Sequence, residues 1–99
     1  MRSDVTSPSA DTVREFILDR LADQLVVKGI EANDLPDSFD LLIEGVIDSF
    51  GIVELVVQLE ERFGYELDFT ELDADDLTRI GPLSRYVEEQ GRRAGASAG

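Results

Sequence analysis

The chain has 99 residues and a formal net charge of −13 at pH 7, a length that predicts one domain with a modest core. The charge argues against nucleic acids and anionic membranes as partners, because both bind basic surfaces, and favours partners with basic patches. The sequence has no cysteine and no histidine, which excludes disulfides, thiolate nucleophiles, Ser-His catalytic pairs and zinc sites built on nitrogen or sulfur.

The two ends of the chain differ from its middle. Residues 1–9 are small and polar and predict a flexible lead, and residues 91–99, rich in glycine and alanine, predict a flexible tail. Residues 10–90 are expected to form the folded domain. No stretch is apolar for long enough to span a bilayer and the N-terminus lacks the apolar core of a signal peptide, so the expected location is the cytoplasm.

The first helix is predicted to begin at a cap formed by either Ser9 or Thr12 and to end at Lys28-Gly29, where a cation precedes a glycine. It is expected to be the longest helix. Its apolar side chains recur at helical spacing and predict core packing: Val13, Phe16, Ile17, Leu21, Leu25 and Val26.

Residues 30–47 form a long connection between the first and second helices. Ordered connections of this length are uncommon and usually have a functional role. Five apolar side chains in it are expected to pack onto the helices: Leu35, Phe39, Leu41, Leu42 and Val46.

The second helix is predicted to open at Asp48, a good N-cap, with Ile47 and Ile52 at the two positions of a hydrophobic staple. Ser49 then lies in the first turn. At 100° per residue one broad face is apolar and suits a core: Ile52, Leu55, Val56, Leu59 and Phe63. The opposite face alternates apolar and acidic side chains: Phe50, Glu54, Val57 and Glu61.

The segment after Gly64 alternates apolar residues from Tyr65 to Phe69, but a lone strand has no partner, so an extended loop is predicted. A short third helix follows at 73–77. Its acidic cluster does not fit an EF-hand calcium loop, which needs glycine at its sixth position and glutamate at its twelfth. Counted from Asp73, these positions are Thr78 and Ser84, so we interpret the cluster as a solvated face.

The last helix is predicted from Arg79 to about Gln90, with Thr78 as its cap and Pro82 in its first turn, where a missing N–H costs no bond. Its core stripe is expected to be Ile80, Leu83, Tyr86 and Val87.

Asp48-Ser49-Phe50, followed by Val53-Glu54-Leu55-Val56, resembles the Asp-Ser-Leu attachment motif of acyl carrier proteins, and the resemblance extends over roughly residues 10–90. It implies an all-α four-helix bundle of carrier type, with three longer helices, one short helix and a long first loop. It also implies that Ser49 carries a covalent 4′-phosphopantetheine arm whose thiol holds an acyl or aminoacyl group as a thioester. Asp48 would assist a magnesium ion held by the transferase, and the protein itself would have no catalytic residue and no metal site.

The tripeptide Asp37-Ser38-Phe39 repeats Asp48-Ser49-Phe50, and context separates the two serines. Ser38 lies between Pro36 and Gly45, where no amphipathic helix of useful length can start. Ser49 opens a helix of about fifteen residues, and a helix N-terminus favours an anionic phosphodiester. Ser49 is therefore the predicted attachment residue.

Twelve acidic residues and a single basic one, Arg62, lie between Asp40 and Asp76, so most of the charge surrounds the serine and should steer basic partner surfaces towards it. The resemblance implies as partners a phosphopantetheinyl transferase, an adenylating or acyl-loading ligase and acyl-processing enzymes. The expected contact stripe is the alternating face of the second helix, and the chain is expected to be a monomer.

Departures from the commonest carrier motifs narrow the type of carrier that the sequence resembles. Gly45 lies three residues before Asp48, whereas fatty-acid carriers usually place glycine two before, and the Gly-Gly-His-Ser of peptidyl carriers is absent. The run 45–51 is similar to free-standing carriers loaded by adenylating ligases, D-alanyl carrier proteins among them, and leaves the cargo open. The alternative hypothesis is an acidic, non-carrier interaction module that binds a basic partner through helix 50–61 with Ser49 unmodified.

Overall fold

The computed structural model describes residues 8–64 and 66–98, and these residues form an all-α fold. In chain order the α-helices are α1 (Ala10–Arg20), α2 (Ala22–Lys28), α3 (Ser49–Phe63), α4 (Ala74–Thr78) and α5 (Ile80–Ala98). The described residues contain no β-structure beyond one antiparallel bridge between Asp40 and Arg79. The all-α class predicted from the sequence is confirmed. The flexible lead predicted for 1–9 lies outside the described residues, apart from Pro8 and Ser9.

The predicted first helix is divided in two by a distortion at Leu21, whose φ and ψ are −103° and 13°. Hydrogen bonding continues across it, because Leu21 N donates to Ile17 O at 3.1 Å and Leu25 N donates to Leu21 O at 2.9 Å. Helices α1 and α2 are therefore one bent rod. The expectation that this helix is the longest is wrong, because its two segments have 11 and 7 residues, and even the whole rod from 10 to 28 only equals the 19 residues of α5.

Both ends of this rod behave as the sequence predicts. The Ser9 hydroxyl oxygen accepts from Thr12 N at 3.1 Å, which identifies Ser9 as the N-cap. Gly29 closes α2 in the left-handed region, with φ of 71°. Val26, however, is 76% exposed rather than packed in the core. At 100° per residue Val26 lies on the side of the rod opposite Ile17, so the two cannot share a buried face.

The core lies between the rod, α3 and α5, and α1 packs along α5. Its fully buried side chains include Ile17, Leu25, Leu41, Leu59, Ile80 and Leu83. The predicted apolar faces of α3 and α5 are confirmed, with Phe63 half-buried at the margin. There the Phe63 ring meets Phe16 edge to face, with ring centroids 5.7 Å apart.

The long connection is ordered, as expected, and packs Leu35, Leu41 and Val46 into the core with Phe39 partly buried. Leu42 is the exception, at 37% exposed. It follows Leu41 in a tight turn in which Leu41 takes the inward position, and Leu42 N donates to the Asp40 side chain at 3.0 Å. Neighbouring residues of such a turn cannot both face the core.

A set of hydrogen bonds ties this connection to the start of α5. Leu41 N donates to Thr78 O at 2.8 Å, Ile80 N to Phe39 O at 3.1 Å and Gly81 N to Asp37 O at 2.9 Å. The buried Thr78 hydroxyl donates to Asp40 Oδ2 at 2.8 Å. We call these four bonds the loop clasp. Thr78 is thus the last residue of α4 and a partner of Asp40, so its predicted role as the cap of the last helix is wrong.

The Asp40 carboxylate is the buried charge of this clasp. Its Oδ1 also accepts from Leu42 N and Ile43 N, each at 3.0 Å. Burial raises the pKa of Asp40, but the hydrogen bonds from Ile43, Thr78 and Leu42 outweigh burial and hold the pKa below its ordinary value. Asp40 therefore remains ionised in the folded protein at neutral pH.

The last helix starts at Ile80 and continues to Ala98, beyond the end near Gln90 that the sequence predicts. Two ion pairs at the spacing of one helical turn span that point, Arg92–Glu88 at 3.6 Å and Arg93–Glu89 at 3.1 Å. They extend the helix into a segment of low intrinsic helix preference. The division of the chain at residues 9 and 90 stays a prediction. No helix in 8–64 or 66–98 has the length and apolarity needed to cross a membrane.

Candidate functional site

The N-terminus of α3 holds Ser49 as its first helical residue, exposed to solvent. Asp48 precedes it in extended conformation, and its Oδ1 accepts from Gly51 N at 2.8 Å. The first intrahelical bond runs from Ile52 N to Asp48 O at 3.0 Å. Asp48 is therefore the N-cap that the sequence predicts.

This capping leaves polar groups free beside the serine. The N–H groups of Ser49 and Phe50 have no hydrogen-bond partner among the described residues, because the Asp48 side chain takes Gly51 N instead. Free N–H groups and the helix dipole stabilise negative charge at this end of α3. A phosphodiester on the Ser49 oxygen would lie in that favourable field, so the site fits an anionic group joined through serine.

The turn before α3 fixes the position of its first residue. Val46 N and Ile47 N both donate to Leu41 O, at 2.9 and 3.2 Å, and Gly45 has φ of +78°, a region that side chains disfavour. Val46 is buried below the turn. The turn that leads into Ser49 is thus anchored in the core through Val46.

The outward face of α3 is uncovered. Phe50 is 70% exposed and Val57 45%, and Glu54 and Glu61 are also exposed. The structure brings all four residues of the predicted contact stripe together on one open surface, running away from Ser49. The connection does not cover Phe50 or Val57.

Two further exposed apolar residues, one of them on α3, were not singled out from the sequence. Val53 is 52% exposed, and its position 60° from Phe50 around the helix was the signal that could have found it. Ile43, also exposed, lies in the aperiodic connection, where no sequence pattern marks it.

Ser38 lies in a different environment from Ser49. It is exposed in a turn from which no helix begins. The neighbouring Asp37 carboxylate forms ion pairs with Arg14 and Arg85, both at 3.2 Å. This charge therefore joins α1 to α5 rather than capping a helix.

The described residues hold no cluster of three or more acidic side chains arranged to bind a metal ion. A magnesium ion at Ser49 would therefore need ligands from a partner or substrate in addition to Asp48.

An acidic all-α fold with an exposed serine at the positive end of a helix is the arrangement expected of a helical carrier of a serine-linked anionic group. Comparison with known proteins agrees: the family described as "Phosphopantetheine attachment site" matches residues 15–87. The chain belongs to this family, and it is a carrier protein with covalently attached 4′-phosphopantetheine as its cofactor.

Among curated proteins the chain is similar to an acyl carrier protein of Chlamydia muridarum, with 30% identity over 81% of this chain and 92% of the relative. It is also similar to a D-alanyl carrier protein of Bacillus velezensis, with 40% identity over 64% of this chain and 77% of the relative. A D-alanyl carrier protein of Streptococcus uberis is 35% identical over 79% of this chain and 94% of the relative. No solved structure matches the chain.

Proposed function

We propose that Ser49 is the residue that carries the arm. The observation that supports this most directly is its place as the exposed first residue of α3, beside the unpaired N–H groups of Ser49 and Phe50. Ser38, the other serine in an Asp-Ser-Phe tripeptide, has no helix to supply such groups. The charge of a phosphodiester is therefore stabilised at Ser49 and not at Ser38.

In this function the residues of the chain have simple roles. The Ser49 hydroxyl accepts the arm that a phosphopantetheinyl transferase moves from coenzyme A. Asp48 holds the first turn in place through Gly51 and offers its second carboxylate oxygen to the transferase's magnesium ion. The chain itself catalyses no step, since it has neither histidine nor cysteine to act as base or nucleophile.

The outward face of α3 is the surface on which partners dock. Phe50 and Val57 supply apolar contact area, and Glu54 and Glu61 supply charge for basic partner surfaces. Such a surface speeds encounter and fixes orientation without requiring tight binding, which suits a carrier that visits and leaves several enzymes. The partners are the transferase, an adenylating or acyl-loading ligase and acyl-processing enzymes.

The type of carrier we propose is free-standing and loaded by an adenylating ligase. The similarity to D-alanyl carrier proteins supports it, as does Gly45 three residues before Asp48. The cargo is an acyl or aminoacyl group held as a thioester. The monomeric state and the cytoplasmic location expected from the sequence stay predictions.

Intact-protein mass spectrometry tests the attachment residue. The parent, Ser49→Ala and Ser38→Ala are each incubated with a broad-specificity transferase, coenzyme A and magnesium. We expect the mass of one phosphopantetheine to be added to the parent and to Ser38→Ala but not to Ser49→Ala. Addition to Ser49→Ala would move the attachment residue elsewhere. A folded parent that takes up no arm would favour the acidic interaction module, which would use the same face of α3 with Ser49 unmodified.

A further inference from the structure

Leu41 links the turn before Ser49 to a distant part of the chain. Its carbonyl oxygen accepts from Val46 N at 2.9 Å and from Ile47 N at 3.2 Å, and its own N–H donates to Thr78 O at 2.8 Å. The Leu41 side chain is fully buried. The two peptide groups of this residue therefore join the turn that leads into Ser49 to the last residue of α4.

A second link runs beside the first, through the Asp40 carboxylate. Its Oδ1 accepts from Leu42 N and Ile43 N, each at 3.0 Å, inside the same turn. Its Oδ2 accepts from the buried Thr78 hydroxyl at 2.8 Å. Hydrogen bonds to a charged acceptor are shorter and stronger than bonds between neutral groups. One carboxylate thus holds both the shape of the turn and its distance from α4.

Ile47 transmits the position of this turn to α3. A Cβ placed on Gly51 would lie 3.0 Å from Ile47 Cβ, so the Ile47 side chain packs directly against the backbone of the first turn of α3. Asp48 and Ser49 lie between these two residues in the sequence. Because protein interiors are close-packed and transmit strain, a shift of Leu41 displaces Ile47, and a shift of Ile47 displaces the start of the helix.

The turn has two further contacts outside the loop clasp. Val46 is buried, which holds the end of the turn against the core. Lys28 Nζ would lie 3.1 Å from a Cβ placed on Gly45, but a lysine side chain is flexible and yields easily. An apolar side chain and a flexible cation resist displacement without fixing a direction, whereas hydrogen bonds are directional. The clasp is therefore the contact that orients the turn.

We propose that Thr78 and Asp40 are positioning residues for transfer of the arm, because their bond orients the turn that presents the Ser49 hydroxyl to the transferase. This rests on Ser49 as the attachment residue. In the transfer step the Ser49 oxygen bonds to the pantetheine-side phosphorus of coenzyme A, and the bond from that phosphorus to the bridging oxygen breaks. The nucleotide leaves with that oxygen, and the serine proton passes to a base on the transferase. An attacking group misplaced by about 1 Å can lower such a rate about 100-fold.

Positioning and stability are separable because the carrier is itself the substrate of the transferase. An unfolded fraction of the carrier competes with docking, so it raises the transferase concentration that gives half the maximal rate and leaves the maximal rate constant unchanged. A misplaced Ser49 has the opposite signature: it lowers the maximal rate constant and leaves docking on the outward face of α3 intact. The rates are measured with transferase in excess, so that each carrier is modified once and product release does not hide the chemical step.

Four variants make the test specific. Thr78→Val replaces the hydroxyl by a methyl group of similar size, and Thr78→Ser keeps the hydroxyl. Gly81→Ala disturbs the loop clasp without changing Thr78, because its new Cβ would lie 2.5 Å from Asp37 Cβ. The control is Tyr86→Phe, which removes a buried hydroxyl that binds Asp68 rather than the connection.

We expect Thr78→Val to lower the maximal rate constant about 10-fold, within the range that misplacement of a reacting group produces. The half-saturating transferase concentration should change little, and Thr78→Ser should restore the rate. Gly81→Ala should also lower the maximal rate constant, and Tyr86→Phe should keep the parent's value. Hydrogen exchange gives a readout without the transferase: the Val46 and Ile47 amides should lose protection in Thr78→Val and regain it in Thr78→Ser.

A maximal rate constant in Thr78→Val equal to the parent's, or an equal fall in Tyr86→Phe, would overturn the proposal, and so would a Thr78→Ser protein as slow as Thr78→Val. If Thr78→Val does not fold, Gly81→Ala decides in the same way. Intact mass separates these results from failure of the proposed function. A parent that gains no arm on Ser49 overturns the attachment residue itself, whereas a parent modified on Ser49 no faster than Thr78→Val overturns the positioning role alone.

Discussion

At the scale of single residues, Asp48 has two roles that a single substitution can separate. Its side chain caps α3 through Gly51 N, and its charge lies next to the proposed attachment residue. An asparagine can accept the same hydrogen bond without the charge.

Asp48→Ala should lower the free energy of unfolding by ~1 kcal/mol, because the Gly51 N–H loses its cap. Asp48→Asn should keep that stability but slow transfer of the arm by roughly 10-fold, the usual size of effect when support for a metal ion is lost. Chemical denaturation and a timed mass assay of arm transfer measure the two effects. Equal transfer rates for Asp48→Asn and the parent would show that the carboxylate has no part beyond capping.

Asp40 makes stability depend on pH in a defined direction. Its pKa is lower in the folded protein than its ordinary value of 3.8, so its stabilisation is complete above that value and is lost as the pH falls through the folded-state pKa. Asp40→Asn should lower the free energy of unfolding by ~1–3 kcal/mol at pH 7, since the donors around it face an amide. The deficit relative to the parent should shrink in acid.

Urea denaturation of the parent and Asp40→Asn at neutral and acidic pH measures this difference. The control is Asp19→Asn, an exposed change on α1 that should alter stability little at either pH. A deficit that stayed constant with pH would contradict the assignment of an ionised Asp40 to the loop clasp.

At the scale of elements, α3 separates stability from recognition by its two faces. Leu59 is fully buried, and Val57, two residues away, is 45% exposed. The same truncation on the two faces should therefore have opposite consequences.

Leu59→Ala should lower the free energy of unfolding by ~2–5 kcal/mol, because it leaves a cavity in the core. Val57→Ala should change stability by less than ~0.5 kcal/mol but raise the KM for transfer of the arm. Thermal denaturation and transferase kinetics test the pair. If Val57→Ala leaves the KM unchanged for the transferase and for a loading ligase, the outward face of α3 is not the docking surface.

The sequence predicts an element well where the residues that cause it lie within the element, and poorly where they lie far away in the chain. The start, faces and end of α3 follow from Asp48, from periodicity and from Gly64, all within the element. The distortion at Leu21 has no marker, since leucine suits the helix interior. The partnership of Thr78 with Asp40 joins residues 38 positions apart, and a capping interpretation was the best that neighbouring residues could support.

The arrangement of the candidate site was predictable to the same extent. Ser49, Asp48 and the outward stripe lie on one helix, so spacing alone placed them together. The approach of Lys28 to Gly45 brings α2 to the connection through the tertiary fold, and a lysine before a helix-ending glycine looks in sequence like an ordinary helix terminus.

At the scale of the whole molecule, the negative electrostatic potential of the protein should affect the rate at which the transferase attaches the arm. Glu54 and Glu61 lie on the outward face of α3 within a chain of net charge −13. Because electrostatic steering is screened by salt, kcat/KM for transfer of the arm should fall by about 10-fold or more as ionic strength rises from low to above physiological.

The double variant Glu54→Gln/Glu61→Gln should be slower at low salt and less sensitive to added salt. A charge-matched control, Asp19→Asn combined with Asp23→Asn on the rod, should keep most of the parent's salt dependence. Identical salt dependence in both double variants would mean that total charge, and not the outward face of α3, steers the partner.

The loop clasp also sets the order of events during synthesis of the chain. Residues 37–41 are held by residues 78–81, so the four bonds of the loop clasp cannot form until the C-terminal part of the chain has been made. A nascent chain that has just exposed Ser49 to the transferase lacks the loop-clasp partners of the Asp37, Phe39 and Leu41 backbones. Attachment of the arm is therefore expected to follow the synthesis of residues 78–81, after the loop clasp has closed.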